Sequence, residues 1–413
     1  MKRLLIIIML MLAMPVVRAE MLSLEQCVDT AVAHNPSVAA ASLSVERQRM
    51  LQATAFNPPM TEVTLKQETT GGGGPENGVY FGQEFDFPTL YIARHKSLVA
   101  RSDLEAGRLN VLLADIRGEV GRLYFSLLYS RELLKLNSRL DTLYTEFCRV
   151  ASVRLAEGEI GPLELMNATR VREKNQMERE VELSNYKALQ RELQTVMGCS
   201  FLPEPVEEPF LPVGFSADTV PALGVDIFDF ANTSRGRLAA GEIAVAEKEY
   251  TEARHEFLPG IRLGATVQAL IKSFNPYHVD RLPFEKGNFM GFEVGVTVPL
   301  FFGAQSARVK AADAQRRISQ LEMQTAESQA VGEVEKLRGQ LSSIDARLRY
   351  YETTALPQAE EIKRIATVSY ELGDISYIEY IANMETAFDI FLEYALCIND
   401  HNQTLLRLQS LTL

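Results

Sequence analysis

Apolar residues recur along most of this chain at steps of three and four. From Leu109 the positions Leu113, Ile116, Val120, Leu123 and Leu127 step by 4, 3, 4, 3 and 4, and Leu140, Leu143, Phe147 and Val150 resume the pattern. Such a seam marks a helix packed lengthwise on another helix. The helical run 89–157 holds 69 residues, about 100 Å at ~1.5 Å per residue. A helix of that length needs neighbours along its whole course. Runs 160–197 and 226–255, of 38 and 30 residues, would match it when laid end to end. A second long run, 303–372, pairs in the same way with 22–55 and 376–413. Pro357 predicts a kink in that second run, because proline removes a backbone donor and crowds the preceding turn.

Between the helical runs the period changes to two. Ile261, Leu263, Ala265, Val267 and Ala269 alternate with Arg262, Gly264, Thr266 and Gln268 in the stretch 261–271, and Phe292, Val294, Val296 and Val298 alternate with Glu293, Gly295 and Thr297 in the stretch 292–299. The first half is rougher. Val63 and Leu65 alternate with Glu62, Thr64 and Lys66, while Phe81, Phe85 and Phe87 alternate with Gly82, Glu84 and Asp86, and Gln83 interrupts the apolar side. A soluble sandwich shows such alternation, but so does a strand between lipid and a watery lumen. The lengths, roughly 9 to 11 residues, suit a tilted membrane-crossing strand. Polar linkers, 68–77 with its four glycines and 272–288, span each pair. Four strands cannot close a barrel, and open edges in lipid leave donors and acceptors unpaired. Three copies would supply 12 strands, a workable barrel.

The plan occurs twice. Phe56-Asn57-Pro58-Pro59 and Phe257-Leu258-Pro259-Gly260 each lead into an alternating pair, and Gly158-Glu159-Ile160-Gly161-Pro162-Leu163-Glu164 matches Gly373-Asp374-Ile375-Ser376-Tyr377-Ile378-Glu379 at an offset of 215. The sequence therefore predicts a signal peptide over 1–19, a first repeat over 20–198, a linker over 199–225 and a second repeat over 226–413. Pro203, Pro205, Pro209 and Pro212 mark that linker as an equatorial band crossing the outside of a helical bundle. The fold expected is mainly α with a transmembrane β portion: a long coiled-coil helical barrel plus four strands per chain contributing to a trimeric 12-stranded β-barrel.

Charge and composition narrow the classes. The 413 residues carry a net charge of −12, which argues against a nucleic-acid partner. Lys2 and Arg3, an apolar stretch from Leu4 to Met14 and Val17-Arg18-Ala19 read as a secretory signal with its cleavage site. After Ala19 no apolar run reaches the roughly 18 to 20 residues of a membrane helix, so membrane residence would rest on strands. Cys27, Cys148, Cys199 and Cys397 lack paired spacing, and His34, His95, His255, His278 and His401 show no ligand spacing. No metal site and no cofactor is expected. Nor does any nucleophile motif or phosphate loop occur, and the chain reads as a non-enzyme.

His34-Asn35-Pro36, the Phe-x-Pro entries to the strand pairs, Leu356-Pro357-Gln358-Ala359 and the twin Gly-centred turns together resemble the TolC outer-membrane efflux protein family, over residues 20 to 413. Gln83-Glu84, Arg94 and Tyr370-Glu371-Leu372-Gly373-Asp374 look most similar to its heavy-metal cation efflux branch. The resemblance implies a homotrimer in the outer membrane with a helical barrel in the periplasm. It also implies a periplasmic adaptor (membrane fusion) protein at the closed tip, an inner-membrane pump of the RND type, and a channel that is a passive duct. Drug efflux and protein secretion stay open as cargo classes, and a periplasmic coiled-coil scaffold or adaptor is the alternative of another kind.

Glycine is the usual helix stop, which accounts structurally for Gly158 and Gly373. The resemblance adds adaptor docking at Gly158, Glu159, Ile160, Gly161, Gly373, Asp374, Ile375 and Ser376. Glu164 and Glu379 are the candidate pore carboxylates at the tip, where recurring acids would attract cations. Related channels carry a second acid one turn beyond the position of Glu379, where this chain has Ala382. Glu84, Asp86, Arg262 and Glu293 are the candidates for the barrel lumen.

Overall fold

A computed structural model describes residues 19–69, 75–213, 228–268 and 290–412. The expected signal peptide and the linker 272–288 lie outside the described residues, apart from Ala19. In chain order the elements are β1 (Ala19–Leu22), α1 (Leu24–His34), α2 (Pro36–Leu51), β2 (Glu62–Thr69), β3 (Pro75–Phe85), α3 (Pro88–Ala156) and α4 (Pro162–Met197). There follow β4 (Leu202–Pro205), α5 (Ser234–His255), β5 (Gly260–Gln268), β6 (Met290–Thr297), α6 (Gly303–Tyr350), α7 (Leu356–Glu371) and α8 (Tyr377–Thr412).

The long helix predicted from the seam is α3, of 69 residues, displaced by one position. In the second half the chain answers Pro357 with a π-helical stretch, Tyr351–Ala355, between α6 and α7. Widening the turn ahead of a proline relieves the clash of its ring with the preceding carbonyls without ending the helix. Two boundaries differ from the sequence reading. Helix α5 starts at Ser234 after a 3₁₀ turn over Phe230–Asn232, not at 226, because Asp229 accepts the Ala231 N–H and fixes a turn there. β3 begins at Pro75, so the polar linker of the first strand pair is shorter than 68–77.

The chain forms two compact units, and each repeat contributes to both. The first comprises residues 1–40, 110–235 and 327–413. Leu136, Leu140, Tyr144, Phe147 and Ala151 of α3 pack against Tyr377, Ile381, Met384 and Phe388 of α8. Farther along α8, Leu405 and Leu408 meet Val334, Leu337 and Leu341 of α6. These pairings bury the faces that the three-four spacing marked, and burial of apolar surface is what holds long helices side by side.

A feature that sequence reasoning missed is the parallel pairing of β1 with β4, Ala19 against Leu202 through Leu22 against Pro205. Four residues with prolines at alternate positions carry too little pattern to announce a strand. The proline-rich chain beyond it is tied down by polar side chains. Arg131 of α3 donates to the carbonyls of Pro205 and Val206 at 2.9 and 3.0 Å. Buried Asn402 of α8 accepts the Val213 N–H at 2.8 Å and donates to the Leu211 carbonyl at 3.2 Å. Proline cannot join a ladder as a donor, so the carbonyls it leaves free are taken by side chains. Near the other end of this segment Asn35, at the break between α1 and α2, donates to the Val196 carbonyl at 2.8 Å.

The second unit comprises 41–109 and 236–326. It holds the sheet of β2, β3, β5 and β6 in that order, all neighbours antiparallel, so β3 against β5 joins the two halves of the chain. Its helices are cross-linked by Arg101 to Glu249 at 2.7 Å and Arg94 to Glu252 at 3.5 Å.

Two left-handed glycines separate strain from space. Gly198 has φ +64°, and a Cβ there would stand 2.6 Å from the His34 carbonyl oxygen; Gly158 has φ +76° in open surroundings. Gly158→Ala should cost only the left-handed penalty, about 1–2 kcal/mol. Gly198→Ala should cost more, because the backbone of the α1–α2 break must also shift. Denaturant unfolding of the two variants side by side checks the order.

Candidate functional site

The sheet sorts its residues by face. Register aligns Val63, Phe81, Ala265 and Phe292 in one row across the four strands, and the adjacent row is Glu62, Gly82, Gly264 and Glu293. Successive side chains on a strand point to opposite faces, so one face is mainly apolar, interrupted at Gln83, and the other carries polar residues, glycines and Tyr80. Much of the apolar face is uncovered: Phe292 and Val294 are 80% and 78% exposed. Within one chain, then, a hydrophobic wall faces outward, and β2 and β6 are edges with a free side.

On the polar face, Tyr80 is buried, with its ring lying over the two glycines of the adjacent row; a Cβ at Gly82 or Gly264 would come within 2.7 or 2.8 Å of it. Lys66 and Arg262 flank the ring at 5.0 and 5.9 Å from its centre. Arg262 also reaches past Gly82 to Glu62 at 3.2 Å. Of the lumen candidates, Glu84 stands opposite Arg262 in register, and Glu293 lies on the same face. Asp86 lies one residue past the end of β3 at Phe85, where the chain turns into α3. Its carboxylate meets Arg94 at 3.5 Å, and its N–H donates to the Tyr91 hydroxyl at 2.9 Å. Sequence reading missed Tyr80; the signal was the pair of glycines on the polar side, which leave floor space for one large ring. Gln83, which breaks the apolar alternation, donates to the Pro59 carbonyl at 2.7 Å and accepts from Thr61 at 2.6 Å, pinning the entry to β2.

The twin turns in the other unit are built alike. Gly158 and Gly373 share φ +76°. The Gly158 N–H donates to the Leu155 carbonyl and the Glu159 N–H to that of Arg154. At an offset of 215, Gly373 donates to Tyr370 and Asp374 to Ser369. Glycine is required here by the left-handed backbone that lets the last carbonyls of α3 and α7 be satisfied. The two exits differ. After the first turn Gly161 caps α4 without a side chain and Pro162 opens the helix. After the second, Ser376 and Glu379 form a reciprocal cap: the Ser376 N–H donates to the Glu379 carboxylate at 2.8 Å, and the Glu379 N–H to the Ser376 hydroxyl at 3.2 Å. That bond holds the Glu379 carboxyl below its ordinary value. Glu379 is therefore occupied as a cap, whereas Glu164 has no side chain at Gly161 to pair with. Glu159 is held by Arg154 at 3.0 Å; Asp374 is exposed, and Ile160 and Ile375 are half-buried. Beside the second turn Tyr370, Tyr377 and Tyr380 cluster with Phe147 of α3, ring centres 4.9 to 5.9 Å apart.

Among the described residues no three His, Cys, Asp or Glu side chains gather as metal ligands would, and no helix is long and apolar enough to cross a membrane. The four cysteines are free, and burial pushes the Cys27 thiol up to about 12.

A helical hairpin scaffold with an outward apolar sheet now has a counterpart among known proteins. Residues 237–412 match the outer membrane efflux protein family. Over that part, somewhat less than half of its length, the chain is similar to that family. The fold agrees with a membrane protein from Pseudomonas aeruginosa, at 16% identity and TM-score 0.76 over 94% of this chain and 90% of that one. It agrees likewise with the CmeC outer membrane channel of Campylobacter jejuni, at 14% identity and 0.72 over 94% and 85%. The open state of the MtrE outer membrane channel of Neisseria gonorrhoeae gives 17% identity and 0.71 over 94% and 88%. Among curated proteins, no match is found.

The cap at the second turn has a measurable role. A carboxyl lowered by folding contributes stability that is complete above its unfolded value and fades as pH falls through the lowered one. Ser376→Ala should release the first turn of α8, with amide exchange at Tyr377–Tyr380 roughly fivefold faster at neutral pH, while amides around Gly158 stay unchanged.

Proposed function

We propose that three copies of this chain form the outer-membrane duct of a tripartite efflux system, passive in itself, and that a periplasmic adaptor protein joins it to an inner-membrane pump of the RND type. The observation that carries the reading is the sheet: one face mainly apolar and largely uncovered, the other polar, and both edge strands unpaired within the chain. In lipid, each unpaired backbone group at β2 and β6 costs several kcal/mol. Pairing β6 of one copy with β2 of the next removes the cost, and three sheets of four strands close a 12-stranded barrel. A water-soluble scaffold would leave Phe292, Val294, Val296 and Leu65 in water, a patch that such proteins avoid.

The polar face then lines the lumen with Lys66, Glu84, Arg262 and Glu293, of mixed sign, which suits a conduit more than a selective filter. Cargo choice therefore falls to the pump. The heavy-metal reading rests on the resemblance of residues 83–84, 94 and 370–374. The exposed turns, Gly158 to Gly161 and Gly373 to Ser376, are the adaptor contacts. Their left-handed glycines hold two equivalent loops clear of neighbouring atoms, as a docking site repeated around a trimer requires.

Three measurements test these statements. The protein should require detergent for extraction and run as a trimer that boiling converts to monomer; a detergent-free soluble monomer would overturn the reading. Val294→Arg, on the lipid side, should cost about 2–4 kcal/mol near the bilayer midplane and abolish assembly, whereas Glu293→Lys should assemble and shift the channel toward anions in planar-bilayer recordings. Gly373→Trp and Asp374→Arg should stop export in cells while leaving the trimer intact; normal export by both would remove the docking role.

A further inference from the structure

One buried titratable side chain takes no part in the sheet or in the turns. His401 of α8 is 5% exposed, and acceptors face both of its ring nitrogens: Nε2 stands 3.3 Å from the Asp345 carboxylate of α6, and Nδ1 stands 3.2 Å from Oδ1 of Asn402. The backbone fixes which way that amide points. Asn402 is fully buried; its Oδ1 accepts the Val213 N–H at 2.8 Å and its Nδ2 donates to the Leu211 carbonyl at 3.2 Å. Turned over, it would set donor against donor and oxygen against oxygen, so its oxygen has to meet the ring. A carboxylate likewise only accepts.

An imidazole between two acceptors is satisfied in one state. A neutral ring carries a single N–H, and whichever nitrogen lacks it turns a lone pair on an oxygen, whereas the imidazolium donates from both. Burial makes such a mismatch expensive. The neighbouring charges are engaged elsewhere. Asp400, the preceding residue of α8, pairs with Arg347 of α6 at 3.7 Å, Arg407 of α8 pairs with Glu333 of α6 at 2.8 Å, and on α3 Arg122 pairs with Glu119. The Cys397 thiol, one turn earlier on α8, turns to the Ile344 carbonyl at 3.8 Å. From Pro209 to Val213 the proline-rich segment has no ionisable side chain. Among the described residues, Asp345 is the one charged group in ion-pair contact with the ring.

The bond at stake is one of those that hold the proline-rich segment. Its near end is held by Arg131, a cation at every physiological pH. Its far end is held by Asn402, whose oxygen is shared between Val213 and His401. We propose that Asp345, His401 and Asn402 form an acid-closed clasp on the far end of this segment. With the ring protonated, Nε2–H is held by Asp345 and Nδ1–H by Asn402, and the amide is aligned for Leu211 and Val213. When the ring loses its proton, the lone pair left on one nitrogen spoils that alignment, and the far end loosens while the Arg131 end stays. The fold favours the protonated ring, so the contribution is complete in acid and fades as pH rises. This inference stands on the clasp alone and does not rest on the channel reading.

Amide exchange of the full-length protein in detergent, resolved to single residues by mass spectrometry, tests it. With labelling times scaled for the intrinsic pH dependence of exchange, the Val213 amide should be roughly tenfold better protected at about pH 5.5 than at about pH 8. The Glu208 amide, which donates to the Val206 carbonyl at the Arg131 end, should keep the same protection at both. His401→Gln should abolish the difference at Val213. Asp345→Asn, at a half-exposed site outside the apolar core, removes the charge that favours the imidazolium and should move the transition to lower pH. Equal protection of Val213 at the two pH values in the wild type, a difference that survives His401→Gln, or a transition unmoved by Asp345→Asn would each overturn the clasp. Whether copies assemble is read separately, from the heat-labile trimer.

Discussion

The proposed assembly depends on the absence of hydrogen-bonding solvent inside a bilayer. A backbone N–H or C=O that faces hydrocarbon must find a protein partner. The four-stranded sheet satisfies its internal ladders and leaves two edges open, so one chain is an incomplete object in the membrane. The apolar wall suits that setting, because lipid would take the place of a protein core, and the glycine floor lets the Tyr80 ring lie flat on the polar face.

The helical unit solves a different problem by the same device of repetition. A 69-residue helix cannot be covered by any single partner of 36 residues. Each turn at the end of α3 and α7 is closed by a left-handed glycine, Gly158 and Gly373. Packing of α3 on α8 supplies the stabilisation, and polar side chains such as Arg131 and Asn402 secure the proline-rich segment that has no ladder of its own. The two turns share their hydrogen bonds yet differ in their caps. Glycine at Gly161 leaves the first exit without a side-chain acceptor, while Ser376 and Glu379 lock the second. The aromatic cluster of Phe147, Tyr370, Tyr377 and Tyr380 packs beside the second turn.

Much of this was legible in the residues. The three-four seam gave α3 to within one position, the offset of 215 aligned the turns, and the two-residue period found β5 and β6. Other parts left no readable signal. β1 and β4 are short and proline-bearing, and the start of α5 was set by the local turn at Asp229. Tyr80 escaped because its neighbours in the sheet, Gly82 and Gly264, come from strands far apart in the chain. The bond of Glu379 to Ser376 and the end of β3 at Phe85, one residue before Asp86, likewise left no trace in the spacing of the residues.

By itself the sequence determined the periods, the duplication, the positions of the turns and the segregation of apolar from polar residues on each strand. Those follow from local rules: 3.6 residues per helical turn, two per strand repeat, and glycine where φ is positive. The tertiary structure alone decided which strands pair, which helix faces meet and which carboxylates stay free. The reason is that pairing brings together residues such as Phe81 and Ala265, or Phe147 and Tyr377, whose separation along the chain carries no local trace.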